Sequence, residues 1–258
     1  MRQIQVPWTN SEVIYFDETD STNTQAKIYA ENGSPHGTLF TADCQSAGKG
    51  RRGRSWTAAA GCNIYMSLLL RPKIATTAAP MLTLVMAVSV AEAIREVCSV
   101  ETKIKWPNDI VLQRKKLCGI LTEMSAGEHG ISYVIVGVGV NVNQEQFPEE
   151  LSDKATSLKI ETGLSTDREK LFVSIVKHFW NYYEIFSETE DLSGIRNIYN
   201  DLLINKDCEV KVLEPGNAFT AHALGVNEKG ELLVKTKNGE VKNIYAGEVS
   251  VRGIYGYT

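Results

Sequence analysis

Residues 48–54 read Gly-Lys-Gly-Arg-Arg-Gly-Arg, three glycines and four cations in seven positions. Glycines let backbone N–H groups come close to an anion, and Arg51, Arg52 and Arg54 bring planar guanidinium forks that match phosphate oxygens. The run is read as a phosphate clamp ordered by its ligand. A P-loop is the competing reading, since Gly48, Gly53, Arg54 and Ser55 nearly fit G-x-x-x-x-G-K-[ST]. Its lysine is missing, however, and the segment after Ser55 leads into a strand and not a helix. A single-stranded nucleic-acid loop fits less well, because no aromatic residue interleaves the cations. A second segment, Lys105-Trp106-Pro107-Asn108-Asp109, is followed by Arg114-Lys115-Lys116-Leu117-Cys118-Gly119. Pro107 cannot donate to a ladder and marks a strand break or edge, where Asn108 and Asp109 project as active-site groups or as an ordinary turn. A third segment, Val136 to Asn143, puts Gly137 and Gly139 into a strand. That is costly unless something must approach the backbone closely. It does not fit G-x-G-x-x-G, so a dinucleotide fold is not supported.

The elements that must carry these residues alternate. Short strands are expected at Val13 to Phe16 and Leu39 to Ala42, and a longer apolar one at Asn63 to Leu70. Thr22 to Asn32 reads as a helix with a Thr22/Gln25 capping box, an Ala26, Tyr29, Ala30 stripe and a stop at Gly33. Met81 to Val97 reads as a buried helix. Lys103 to Trp106, Ile110 to Gln113, Gly119 to Met124 and Ser132 to Val142 read as sheet strands, with Arg114 to Lys116 a turn. Asp167 to Phe186 is a helix capped by Thr166 and Glu169, with Leu171, Ile175, Phe179, Tyr182 and Phe186 on its apolar face. Ile195 to Leu203 is a weaker helix. Beyond Asn205 the texture changes to five short strands, Glu209 to Leu213, Phe219 to Val226, Leu232 to Thr236, Val241 to Tyr245 and Val249 to Arg252. Turns fall at 214–217, 227–230 and Asn238-Gly239, and five such strands make a small barrel.

The chain has 258 residues, 43% apolar and 22% charged, with net charge −4, so it is a folded chain with no overall field to gather nucleic acid or anionic membrane. Within it, residues 43–54 and 101–118 are each net +3. Two basic islands in an acidic protein suit a small anionic ligand better than an extended polyanion. The longest apolar run, Met81 to Ile94, is too short and too interrupted to span a membrane, and no signal peptide is read at the start. Cys44, Cys62, Cys98, Cys118 and Cys208 form no C-x-x-C and suit reduced thiols in the cytoplasm. The four histidines do not cluster, so sequence spacing builds no zinc site.

Ser21-Thr22-Asn23, Gln45, residues 48–54, Trp56, Lys105 to Asp109, Lys116 to Gly119 and Gly137 to Asn141 together, in this order, resemble the biotin protein ligases. The resemblance covers nearly the whole chain. It implies an α+β fold, a mixed sheet flanked by helices of the class II synthetase-like biotin/lipoate ligase type, over residues 1–205. An SH3-like barrel would follow over residues 206–258. It implies a two-step reaction in which biotin and MgATP give biotinyl-5′-AMP and pyrophosphate, and the biotinyl group then passes to a lysine of a biotin carboxyl carrier protein. Ser21, Thr22, Asn23, Gln45, Gly48, Lys49 and Gly119 would surround biotin. Ser21 and Thr22 double as candidate helix caps. Arg51 and Lys116 would hold the α-phosphate and the biotin carboxylate. Arg54 would face the leaving pyrophosphate, Trp56 would cover adenine, and Arg52, Asn108 and Asn141 would contact the adenylate. Asp109 would position the incoming amine or take its proton. Mg²⁺ would accompany ATP, with its ligands unassigned.

Lys49 stands where the family commonly has arginine, which keeps the charge and loses the fork. Cys118 fills a site usually held by a small residue. Only about a dozen residues precede the first expected strand, too few for a helix-turn-helix, so a ligase without DNA binding is expected. A lipoate-type ligase, or a biotin-binding regulator, is the alternative. A homodimer through a sheet edge is left open.

Overall fold

The computed structural model describes residues 4, 6, 12–56, 59–128, 130–214, 217–246 and 250–253. The first part of the chain runs β1 (Val13–Thr19), α1 (Thr22–Glu31), β2 (Leu39–Gln45), β3 (Ile64–Leu70), α2 (Leu82–Cys98), β4 (Lys103–Lys105), β5 (Asp109–Leu112), β6 (Lys115–Gly127) and β7 (Gly130–Val140). These strands form one seven-stranded sheet in the order β1-β2-β3-β7-β6-β5-β4. Only the β1–β2 pair is parallel, so the sheet is mixed, as expected. Then follow α3 (Glu149–Ser152), α4 (Leu158–Thr162), α5 (Arg168–Thr189) and α6 (Arg196–Leu202). The last part, β8 (Glu209–Glu214), β9 (Asn217–Val226), β10 (Leu232–Thr236), β11 (Val241–Ile244) and β12 (Ser250–Gly253), is an antiparallel sheet ordered β11-β10-β9-β8-β12. Pro215, Gly216 and Val249, named above in a turn and a strand, lie outside the described residues.

The two faces of the large sheet are covered unequally. Alternate residues of β3 and β7, among them Leu68, Leu70, Val134, Val136 and Val138, join one broad core with α2 and α5. Burying that many aliphatic side chains is the main stabilising term, at about 25 cal/mol per Å² of apolar surface. The opposite face has a small core of Ala26, Ala30, Phe40, Leu69, Tyr133 and Ile135 under α1. Further along the strands on that face stand Ser67 opposite Gly137, and Gly119 opposite Gly139. α1 therefore covers half a face, and the other half is backbone.

Several local expectations are corrected. The turn between β5 and β6 is Gln113-Arg114 alone, both left-handed (φ 48° and 64°), so Lys115 and Lys116 already belong to β6. Two consecutive positive φ values make the tight connection whose twist suits a hairpin. Thr22 and Gln25 form no capping box. Ser21 is the N-cap without a side-chain cap bond, Gln45 Oε1 accepts the Thr22 N–H at 2.8 Å, and Gln25 donates to Asp20 at 2.9 Å. Asp167, not Thr166, caps α5 by accepting from the N–H groups of Glu169 and Lys170, because Thr166 is drawn to Asn143 through two backbone bonds. On α5, Tyr183 and not Tyr182 is the buried tyrosine. The loop at Asn238-Gly239 has one left-handed residue, Gly239, and closes between Thr236 and Glu240.

Trp106 is 1% exposed and donates its indole N–H to Gly230 O at 3.0 Å, joining the β4–β5 turn to the C-terminal sheet. Trp106→Phe strands that carbonyl and should cost about 1–3 kcal/mol. A urea midpoint unchanged from wild type at equal m would show that the bond does not hold the two parts together.

Candidate active site

One cavity of about 50 Å³ gathers most of the expected residues: Ser21, Thr22, Asn23, Gln45, Lys49, Arg51, Trp56, Asn108, Lys116 and Gly119 all line it. The start of α1 and the end of β2 supply the neutral polar wall. β1 and β2 run parallel, so the chain leaving β1 turns into α1 beside the end of β2, which places Thr22 against Gln45. Hydrogen bonds from Gln25, Ser21 and Thr19, with help from Lys49, hold Asp20 below the usual carboxylate range even though burial works the other way. That carboxylate fixes the backbone N–H of Ser21 at 2.7 Å, just before the wall begins.

The glycine–arginine run is a small hairpin. Trp56 N–H donates to Gly48 O at 2.8 Å, Gly50 N–H to Arg54 O at 2.7 Å, and Lys49 bridges Ser55. Arg52 (φ 60°) and Gly53 (φ 69°) form its left-handed tip. Arg52 and Arg54 are exposed and do not line the cavity. Arg51 turns inward, donating to Asn108 Oδ1 at 3.0 Å and to the carbonyl of Ala246 in the C-terminal part. Burial pulls its guanidinium below the ordinary value, Arg52 and Arg54 add to this, and Asp109 opposes it. Asn108 is held by donating to Ile120 O at 3.0 Å and accepting the Ile120 N–H at 2.9 Å.

Lys116 pairs with Asp109 at 2.7 Å, and its Nζ lies 5.3 Å from the Trp56 ring centroid. Such cation–ring contacts are worth about 0.5–2 kcal/mol, depending on desolvation. Both the N–H and the C=O of Lys116 are tied to residues 154–156, which fixes the root of its side chain. Asn141 does not line the cavity. It is buried, donates to Thr156 O at 3.0 Å, and bonds Leu117 and Leu158 through its backbone, so it braces the same segment. Gly48 lies under Trp56, where a Cβ would come within 2.7 Å of Trp56 O.

The glycines in β7 are explained by what presses on them. A Cβ on Gly139 would stand 2.8 Å from Trp56 Cε2, and one on Gly119, directly opposite, 2.8 Å from Cζ3. A Cβ on Gly137 would collide with the Asn23 carboxamide. Trp56 thus lies flat across bare backbone, and its indole Nε1 is buried without a hydrogen-bond partner among the described residues. Sequence reasoning missed Ser67, which contacts Asn23 Oδ1 at 2.6 Å and Thr22 Oγ1 at 2.8 Å, and Glu123, which accepts from Asn23 at 2.8 Å. A lone serine in an otherwise apolar strand was the available signal for the first.

Comparison with known proteins places this arrangement in a class. Residues 15–141 match the biotin/lipoate A/B protein ligase family, residues 207–252 match the biotin protein ligase C-terminal domain, and the chain belongs to this family. It is 39% identical over 241 residues to the bifunctional ligase/repressor BirA of Bacillus subtilis, covering 93% of this chain and 74% of that one. It is 34% identical to the biotin--[acetyl-CoA-carboxylase] ligase of Paracoccus denitrificans, with 70% and 76% covered. The structure of the Aquifex aeolicus biotin protein ligase, described in complex with biotin and ATP, superposes with a TM-score of 0.83 at 34% identity, covering 94% of this chain and 99% of that one.

Gly139→Ala should lift the Trp56 ring off the floor and shift tryptophan emission to the red. The shift should be absent in a Trp56→Phe background. Identical spectra in the presence of Trp56 would mean that the ring does not rest on Gly139.

Proposed function

We propose that this chain activates biotin with ATP and transfers it to a lysine of a carrier protein. The observation that carries the reading is the convergence, over one glycine floor, of a neutral polar wall (Thr22, Gln45) with inward cations (Arg51, Lys116). The wall suits a ureido group, where an unmet hydrogen bond costs about 1–3 kcal/mol. The cations suit the other end of the ligand, where a carboxylate must meet a triphosphate against like-charge repulsion. In the first step a biotin carboxylate oxygen attacks the α-phosphorus, the bond to pyrophosphate breaks, and biotinyl-AMP forms. In the second, the lysine amine attacks the acyl carbon, AMP leaves, and the amine gives up a proton.

Asp109 is 2.7 Å from Lys116 and is the carboxylate placed to position that amine or take its proton, since free lysine, with pKa about 10.4, is a poor nucleophile at neutral pH. Arg54, exposed on the same hairpin as Arg51, would meet the departing pyrophosphate, and Arg52 would bind the nucleotide. A 50 Å³ cavity is far below the about 300–1,000 Å³ of sites for such ligands, so it must open before it takes biotin or a purine. Trp56 therefore leaves the floor to cover adenine. Its unpaired buried N–H lowers the cost of leaving, because an orphaned donor is already destabilising by about 1–3 kcal/mol. Among the described residues no three His, Cys, Asp or Glu side chains cluster, so Mg²⁺ fits as a companion of the ATP phosphates and not in a protein cage.

The same reading divides the chain at residues 205 and 206, supported by the two matched segments. It also includes a homodimer through a sheet edge, since an edge strand presents unpaired backbone groups to a second copy. No helix among the described residues is long and apolar enough to cross a membrane, and five free cysteines suit the cytoplasm.

ATP–pyrophosphate exchange should depend on biotin and not on lipoate. The reverse dependence, or none in folded protein, would overturn the reading. Lys116→Ala should lower the exchange rate by about 10²-fold or more, as loss of a group that stabilises developing charge does. Arg51→Ala should release biotinyl-AMP faster than wild type, and equal retention of the adenylate would remove Arg51 from that role.

A further inference from the structure

We propose that Glu123 is a positioning residue that determines which ligand headgroup the polar wall accepts. This rests on the reading of Thr22 and Gln45 as the biotin-facing wall. Glu123 lies on β6 outside the cavity, held by the Lys27 ammonium of α1 at 2.5 Å. Its other oxygen receives the Asn23 Nδ2–H at 2.8 Å. An ionised carboxylate only accepts, so the Asn23 carboxamide is oriented with nitrogen toward Glu123 and oxygen toward Ser67.

That orientation propagates by proton counting. Asn23 Oδ1 cannot donate, so the single hydroxyl proton of Ser67 goes to it, across 2.6 Å. Ser67 Oγ is then left to accept from the Thr22 hydroxyl, 2.8 Å away and nearer than that hydroxyl's other acceptor, Gln45 Oε1 at 3.2 Å, which already takes the Thr22 backbone N–H. With its proton spent on Ser67, the Thr22 hydroxyl presents lone pairs to the cavity. Gln45 Oε1 takes the Thr22 backbone N–H at 2.8 Å, which leaves Gln45 Nε2 as a donor. The wall thus offers an acceptor at Thr22 and a donor at Gln45, the complement of a group with N–H beside C=O. Three of the groups in the chain, Thr22, Asn23 and Ser67, are nearly inaccessible to water, so solvent cannot re-orient them.

Glu123→Gln keeps the shape and lets the chain run in either direction, because a carboxamide both donates and accepts. The test is ATP–pyrophosphate exchange with biotin and with 2-iminobiotin, which carries an imino group in place of the ureido carbonyl. In Glu123→Gln the KM for biotin should rise about tenfold with kcat within about twofold, and the preference for biotin over 2-iminobiotin should fall about fivefold or more. Ser67→Ala breaks the chain at its middle and should lower the same preference, so the test survives if Glu123→Gln does not fold. Wild-type preference and KM in both variants would overturn the proposal. Wild-type protein without biotin-dependent exchange would instead overturn the reading of the wall.

Discussion

The contact of the Trp56 ring and the Asn23 carboxamide with bare backbone on β6 and β7 sets the geometry of everything around it. Three positions without side chains, 119, 137 and 139, let a helix start and a loop tryptophan lie directly on a sheet. Glycine in a strand interior costs about 0.5–1 kcal/mol relative to alanine, and the cost is offset by the interactions that close approach permits. The broad core on the other face makes this tolerable. β3 and β7 are fully packed there against α2 and α5, so the floor stays rigid although one side of it is stripped.

Charge in the site is arranged around that floor. Lys116 pairs with Asp109, and Arg51 donates to the Asn108 amide and the Ala246 carbonyl with Asp109 also near enough to favour its charge. Burial and two neighbouring arginines disfavour the Arg51 charge and Asp109 favours it, so a bound anionic group would add to the favourable side. The neutral wall at Thr22 and Gln45 lines the same cavity as Arg51 and Lys116. A ligand polar but uncharged at one end and anionic at the other is matched end to end.

Much of this was legible in the residues. Lys49, Arg51, Asn108 and Lys116, from the basic segments singled out for chemistry, line one cavity, and the mixed sheet is the one the family resemblance implied. The alternation of Gly137 and Gly139 correctly signalled close approach, but the approaching groups, Asn23 and Trp56, come from distant segments that only the topology joins. For the same reason Gln45 takes the place of the expected Thr22/Gln25 box. A side chain from a neighbouring strand outcompetes a local cap, and no local pattern records it. α3 and α4 are single turns, too short for a periodic signal, and were not anticipated. Asn141 looked like a binding residue because its neighbours are. Its amide is instead committed to Thr156, a partner set by a loop with no motif of its own.

The bond from Arg51 to Ala246 makes the C-terminal sheet a party to events in the cavity. A guanidinium carries five N–H donors, so Arg51 can keep its bonds to Asn108 and to that carbonyl and still meet an anion, already oriented by both. Free energies of binding are reciprocal: whatever factor that orientation adds to anion affinity, the anion adds to the hold between the two parts of the chain. A partner that draws residue 246 away from Arg51 would then loosen the grip on the anion by that factor, without touching the cavity.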